Sequence, residues 1–227
     1  MQPLLVKDQT KSFVGRYRFT KAKLETADHF ALQDEIVSVR NRLSDVQTNI
    51  YKKRKAAGFF AWVKYWATKK ELVILAALHK ELSAEMQGLI RQLHRVCKTE
   101  IIFAENIVPT VGRTMIANNL TDATPTNSML ISHAALGTDG TTPANGDTTL
   151  GTETYRNAIA SLTNGSNVGY ATAFFNATEV TGTFAEAGIF SDGTGSVDTG
   201  ILVSHVLISV TKSSSETLTI DWELTIN

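Results

Sequence analysis

The chain has 227 residues, 43% of them hydrophobic, with 22 Lys/Arg balanced against 22 Asp/Glu. That apolar content is enough to bury a core, which excludes a disordered polymer. A single cysteine, Cys97, excludes an intrachain disulfide framework and a thiolate zinc site, and no stretch reaches the roughly 18 uninterrupted apolar residues of a membrane span.

The neutral total hides an asymmetry. Residues 1–100 hold 19 basic and 10 acidic side chains, and residues 101–227 hold 3 and 12, so the two parts carry +9 and −9. Only 3 of the 15 glycines lie in the first part. The composition predicts two modules, a basic helical segment over 1–100 and an acidic β domain over 101–227. The opening residues Met1 to Asp8 lack the charged start and long apolar run of a secretion signal, which predicts folding in a cytoplasm.

In chain order, the first predicted element is a short strand at 13–19, with Arg16 and Arg18 on the face opposite Tyr17 and Phe19. It could add to a sheet elsewhere in an assembly. Leu32, Ile36, Val39, Leu43, Val46 and Ile50 follow at spacings of 4 and 3, the heptad seam of a coiled coil. β-branched residues at both seam positions lean towards three strands rather than two. Gly58 suits the end of this helix. A second helix has a capping box at Thr68 and Glu71. It repeats the seam with Leu82, Met86, Leu89, Leu93 and Val96, and Leu75 and Leu78 extend the stripe towards the N-terminus. The two read as a helical hairpin or coiled-coil shaft. The strict repeats favour an oligomerisation seam, and the alternative is two amphipathic helices packed inside a monomer.

The connector at 56–68 concentrates Phe59, Phe60, Trp62, Tyr65 and Trp66 between lysine-rich flanks. Aromatic rings at helical spacing are most often core. The same rings beside lysines also suit contact with an acidic partner or a membrane interface. Nucleic-acid binding is the weakest reading of the basic run, because no nucleic-acid-binding signature accompanies it.

From residue 101 the apolar period falls towards two. Strands are predicted at 101–108, 130–136, 153–162, 168–176, 183–190, 201–210 and 217–226, with a short helix at 111–120. The linkers are rich in Gly, Asn, Asp, Thr and Ser, which supply turns. Many short strands with few helices point to an antiparallel β-sandwich, so the fold class is α+β.

No nucleophile elbow, phosphate loop or zinc-protease motif is present, and neither a catalytic residue nor a cofactor or metal set is predicted. His133 and His205 each follow a serine in a predicted strand without a metal spacing, which reads as structural. Asp139, Asp192 and Asp198 fall in loops where carboxylates favour turns; calcium at 191–200 is a minor alternative, without the spacing of an EF-hand. Glu153 and Arg156 stand out as an ion pair, since Arg156 is one of three basic residues after residue 100.

Several pieces of the β half then carry a resemblance. They are Asn106 to Arg113 with its helix, Leu136-Gly137-Thr138, Asp147 to Glu153 with Arg156, Glu186-Ala187-Gly188-Ile189-Phe190, Thr211-Lys212, and Leu218 to Trp222. In combination and in this order they resemble bacteriophage virion proteins of the tail and tail-fibre structural group. The resemblance implies a non-enzymatic, homo-oligomeric and most often trimeric virion component on tail or head, assembled in a host cytoplasm. Its implied partners are its own copies, other virion proteins and, as a candidate, host-surface glycan. A carbohydrate-binding adhesin outside a virion is the alternative. The aromatic connector has no counterpart in the resemblance.

Overall fold

The computed structural model of the chain describes residues 13–57, 65–122 and 125–227. Strand β1 (Phe13–Lys23) leads into helix α1 (Ala27–Ala57), then α2 (Tyr65–Val96) and β2 (Lys98–Asn106). Helix α3 (Thr110–Thr121) follows, then β3 (Ile131–Gly137), β4 (Glu153–Gly165), β5 (Val168–Phe175), β6 (Gly182–Ser191), β7 (Ile201–Lys212) and β8 (Glu216–Ile226). The fold is thus α+β, with an N-terminal helical hairpin and an antiparallel sheet.

The eight strands lie in one order, β2-β1-β8-β5-β4-β3-β6-β7, with every neighbouring pair antiparallel. The two outer strands approach each other, so the sheet nearly closes on itself. Ile107, just past β2, exchanges both backbone hydrogen bonds with His205 of β7 at 3.1 Å. Lys21 helps further along, donating to the Thr211 carbonyl at 3.0 Å and pairing with Glu100 at 2.7 Å. Near-closure hides edge groups that would otherwise recruit other strands.

β1 pairs within its own chain, between β2 and β8, rather than with a sheet elsewhere. Its alternation is the expected one: Tyr17 and Phe19 are buried, while Arg16 and Arg18 are exposed. The change of composition at residue 100 therefore falls inside β2, and the sheet draws strands from both sides of it. The helical hairpin is an insertion between two strands that are direct neighbours, β1 and β2. α1 is described as far as Ala57, and Gly58, predicted to end it, lies outside the described residues. α2 begins at Tyr65, so Thr68 and Glu71 lie within the helix rather than capping it. Tyr65, Trp66 and Ala67 contain no helix breaker, and nothing local forces the later start.

Two apolar clusters divide the work. Inside the curled sheet, Tyr17, Phe19, Leu136, Ile159, Phe175, Ile189, Ile220 and Trp222 form the main core with Met115 and Ile116 of α3. On the outer face of β4 and β5, Ala160, Phe174 and Ala177 meet the hairpin. Ile36, Val39, Leu43, Val46, Ile50, Leu82, Met86 and Leu93 are all buried there, with Leu32, Leu75 and Leu89 partly buried, whereas Leu78 and Val96, predicted on the same stripe, turn outward and are exposed. Most of the 4-3 seam is thereby occupied within one chain: each helix covers the other, and both cover the sheet. Burying each such side chain contributes about 1.5–3 kcal/mol. Cys97 belongs to the same cluster, and burial raises its thiol above the ordinary value, as expected of an inert packing residue.

Polar clamps fix the hairpin to the sheet. Arg40 of α1 forms a bidentate pair with Glu179, at 2.9 and 2.7 Å, and donates to the Phe174 carbonyl at 2.9 Å. Gln33 accepts the Ala177 amide at 2.6 Å. Lys212, almost wholly buried, donates to the carbonyls of Ala177, Glu179 and Val180 at 2.9–3.1 Å. Burial acts to raise the Glu179 carboxyl, but hydrogen bonds from Arg40, the Asn176 amide and Asn157 outweigh it and hold the group below its usual range. A charge-assisted pair this well satisfied orients two elements as well as joining them. Phe59, Phe60 and Trp62 of the aromatic connector lie outside the described residues, and Tyr65 and Trp66 open α2. Among the described residues, no helix is long and apolar enough to cross a membrane.

Candidate functional site

The outer face of β3, β6 and β7 is covered by loops and the first turn of α3 instead of the hairpin. Ala135, Leu150, Phe190 and Leu202 form a small apolar cluster there, with Val111 of α3 against it. Residues 138–152, between β3 and β4, and residues 192–200, between β6 and β7, lie over this face. Each is tied down by one buried carboxylate.

Glu186 of β6, 1% exposed, holds the first loop. It accepts the amides of Thr152 at 2.7 Å, Gly151 at 2.9 Å and Asp139 at 3.3 Å. Gly137 makes room for this, because a methyl group on it would overlap the carboxylate and the Thr152 carbonyl. His205 then stands between two acids, with Nε2 3.0 Å from Glu186 and Nδ1 2.8 Å from Asp147. A protonated ring donates to both carboxylates, whereas a neutral ring has one N–H to give. Asp147 also accepts the Ala144 amide at 2.8 Å, which folds the loop on itself.

Glu153 and Arg156 of β4 hold the second loop. The pair is bidentate, at 2.5 and 2.6 Å, with both side chains buried. Arg156 Nη1 donates to the Thr199 carbonyl at 2.8 Å and the Thr194 carbonyl at 3.2 Å. Its guanidinium lies 4.6 Å from the centre of the Phe190 ring, a favourable cation–π placement. The predicted ion pair is therefore present, and it works as a loop anchor.

The two strand histidines do not share a site. His205 sits in the first cluster and His133 beside the second, 3.4 Å from where a methyl group on Gly193 would stand. Among the described residues, no three His, Cys, Asp or Glu side chains are arranged to hold a metal ion. In both clusters the carboxylates are engaged with backbone amides, a histidine and an arginine. What this arrangement does chemically is immobilise two long loops. Their outer surfaces, at Thr138, Thr141, Thr142, Asn145, Thr148, Thr194 and Ser196, are exposed and rich in hydroxyls and amides.

His133 gives this region a pH response. Burial, with a smaller contribution from Arg156, pushes its imidazole down to about 4, and its Nδ1 has no hydrogen-bond partner among the described residues. The fold therefore prefers the neutral ring, while the unfolded chain protonates it near pH 6.5. Stability is fully present above that pH and falls by up to about 3 kcal/mol as the pH drops towards 4. Urea unfolding at a series of pH values should show the decline, and His133→Gln should flatten it. His79 and His94, also lowered by burial, leave a residual slope. An unchanged slope in the variant would assign the acid sensitivity elsewhere.

Glu186, Asp147, Arg40, Glu179 and Lys212 were not singled out as site residues from the sequence. Two of them carried a readable sign. Arg40 lies on the apolar stripe of α1 between Ile36 and Leu43, and Lys212 continues the buried parity of Val206, Ile208 and Val210. A charged residue in such a place announces a buried partner. Comparison with protein-family models, with curated proteins and with solved structures finds no match to this chain.

Proposed function

We propose that the chain is a structural, non-catalytic component of a bacteriophage virion, a homo-oligomeric and trimeric fibre or fibre-like appendage on tail or head. In this reading it assembles in the host cytoplasm. The basic helical hairpin with its aromatic connector anchors it to other virion proteins. The acidic β module, working as a sandwich-like display domain, presents loops 138–152 and 192–200 outward to host-surface glycan. No cofactor and no nucleic acid enter the reading.

One observation carries it. Three of the pieces that resemble virion proteins, Leu136 to Thr138, Asp147 to Glu153 with Arg156, and Glu186 to Phe190, are far apart in sequence, yet they converge on the loop-bearing face. Gly137 gives way to the Glu186 carboxylate, Glu186 binds the amides of Gly151 and Thr152, and Glu153 grips Arg156. A pattern of residues spent wholly on holding loops rigid suits a protein whose task is to present a surface. The same rigid, hydroxyl-rich loops favour the second reading, a carbohydrate-binding adhesin outside a virion.

The test is composition. Mass spectrometry of purified phage particles should find the chain in stoichiometric amount, and antibody labelling should place it on an appendage. Analytical ultracentrifugation of the isolated chain should give three times the monomer mass of 24.8 kDa. Particles lacking the chain would remove the virion reading. Glycan binding without particle association would leave the adhesin.

A further inference from the structure

Most of the seam predicted to join copies is used up inside the chain, yet α2 carries a second apolar stripe that nothing among the described residues covers. Val73, Ile74 and Leu78 are 63%, 58% and 38% exposed, and Ala77 is exposed between them. Around these positions residues 72–78 form an unbroken apolar run. Leu72 and Leu75 are the members that face the hairpin seam. A helix segment that is apolar all round is buried on all sides in its working state.

We infer that this outer face of α2 is where identical copies meet, with the same face of each copy packed around a common axis. The proposal rests on the homo-oligomeric reading above and assigns it a surface. The exposed residues come in adjacent pairs, Val73/Ile74, Ala77/Leu78 and Lys80/Glu81, at spacings of 4 and 3. That is a heptad spacing. Adjacent residues on a helix point about a hundred degrees apart, so one member of each pair faces one neighbour and the other member faces the second. Head-to-tail contacts of this kind close into a ring.

Charge selects a copy of this chain as the occupant. Lys80 and Glu81 are exposed, and neither forms an ion pair among the described residues. By contrast, Glu71 and Glu85 on the flank towards α1 are paired with Lys53 and Arg42 of α1. Adjacent residues on one helix do not face each other. In a ring of parallel α2 helices, Lys80 of one copy lies level with Glu81 of the next. The outer face of α1 offers no comparable surface, since it carries exposed Asp34, Glu35, Asn41 and Asp45.

The test uses the full chain in sedimentation equilibrium. The parent should be a trimer, and Ile74→Asp should be a monomer with unchanged helical circular dichroism. Lys80→Glu and Glu81→Lys should each weaken association about tenfold, while the double variant carrying both changes should regain parental affinity. An Ile74→Asp chain that still assembles like the parent overturns this surface and leaves the homo-oligomeric reading intact. A double variant no better than the single ones overturns the copy-to-copy pairing. A monomeric parent removes both the surface and the oligomeric reading.

Discussion

A Glu186→Ala chain is expected to lose about 3–5 kcal/mol of stability, the cost typical of removing one side of a buried charged cluster. For a chain of this size, that lowers the melting temperature by roughly 6–20 °C. The loss has two sources. Three backbone amides, of Gly151, Thr152 and Asp139, are left without their acceptor. His205, itself buried, loses the carboxylate at its Nε2 and keeps only Asp147. An unsatisfied buried donor costs its full desolvation, not the small net worth of one hydrogen bond. Glu186→Gln keeps one acceptor oxygen and should fall between the parent and the alanine variant. Hydrogen exchange separates the local effect from the global one: the amides of Gly151 and Thr152 should exchange faster, while those at the centre of α1, held by the hairpin core, should change least. A melting temperature within about 2 °C of the parent, less than 1 kcal/mol at this chain length, would show that the carboxylate does not organise the loop.

The elements were largely legible because their signals are local. The last strand alternates Leu218, Ile220 and Trp222 against Thr219 and Asp221, and the structure buries the first set inside the sheet. The helix predicted at 111–120 is present as Thr110–Thr121. What the periodicities did not carry was the identity of each partner. A 4-3 repeat says that a helix buries a stripe, not what buries it. Here the answer was the second helix together with Ala160, Phe174 and Ala177, which lie more than a hundred residues beyond α1. The small and hydroxyl residues Thr20, Thr217 and Thr219 are buried alongside, where their size admits a close-packed helical layer. In an alternating strand they read as the wet face. The site was legible in pieces for the same reason. Glu153 and Arg156 are three residues apart and could be paired on paper, whereas Glu186 and His205 meet only through the register of β6 against β7, which places Gly188 opposite His205.

Arg156 is the residue whose replacement should most affect the second loop, and the comparison of two variants shows why it is an arginine. Its three nitrogens act at once: Nε and Nη2 grip the two oxygens of Glu153, and Nη1 gathers the carbonyls of Thr194 and Thr199. Those carbonyls converge because the chain turns through left-handed conformations at Asp192, Asp198 and Gly200, with φ of 54°, 56° and 87°. Such conformations cost roughly 1–3 kcal/mol at a non-glycine residue and persist only where neighbouring contacts hold them. Arg156→Ala leaves Glu153 charged, buried and without its cation, for a loss of about 3–5 kcal/mol. Arg156→Lys keeps the charge but has a single ammonium, which cannot hold both carboxylate oxygens and the loop carbonyls in one plane. It should lose roughly half as much, in line with two or three missing hydrogen bonds. Chemical denaturation gives the order parent, lysine, alanine. Limited proteolysis reads the loop itself: cleavage near the exposed Ser196 and Val197 should speed up in both variants, while the loop held by Glu186 stays resistant. Equal stability of the lysine variant and the parent would show that charge alone, and not the planar fork, positions residues 192–200.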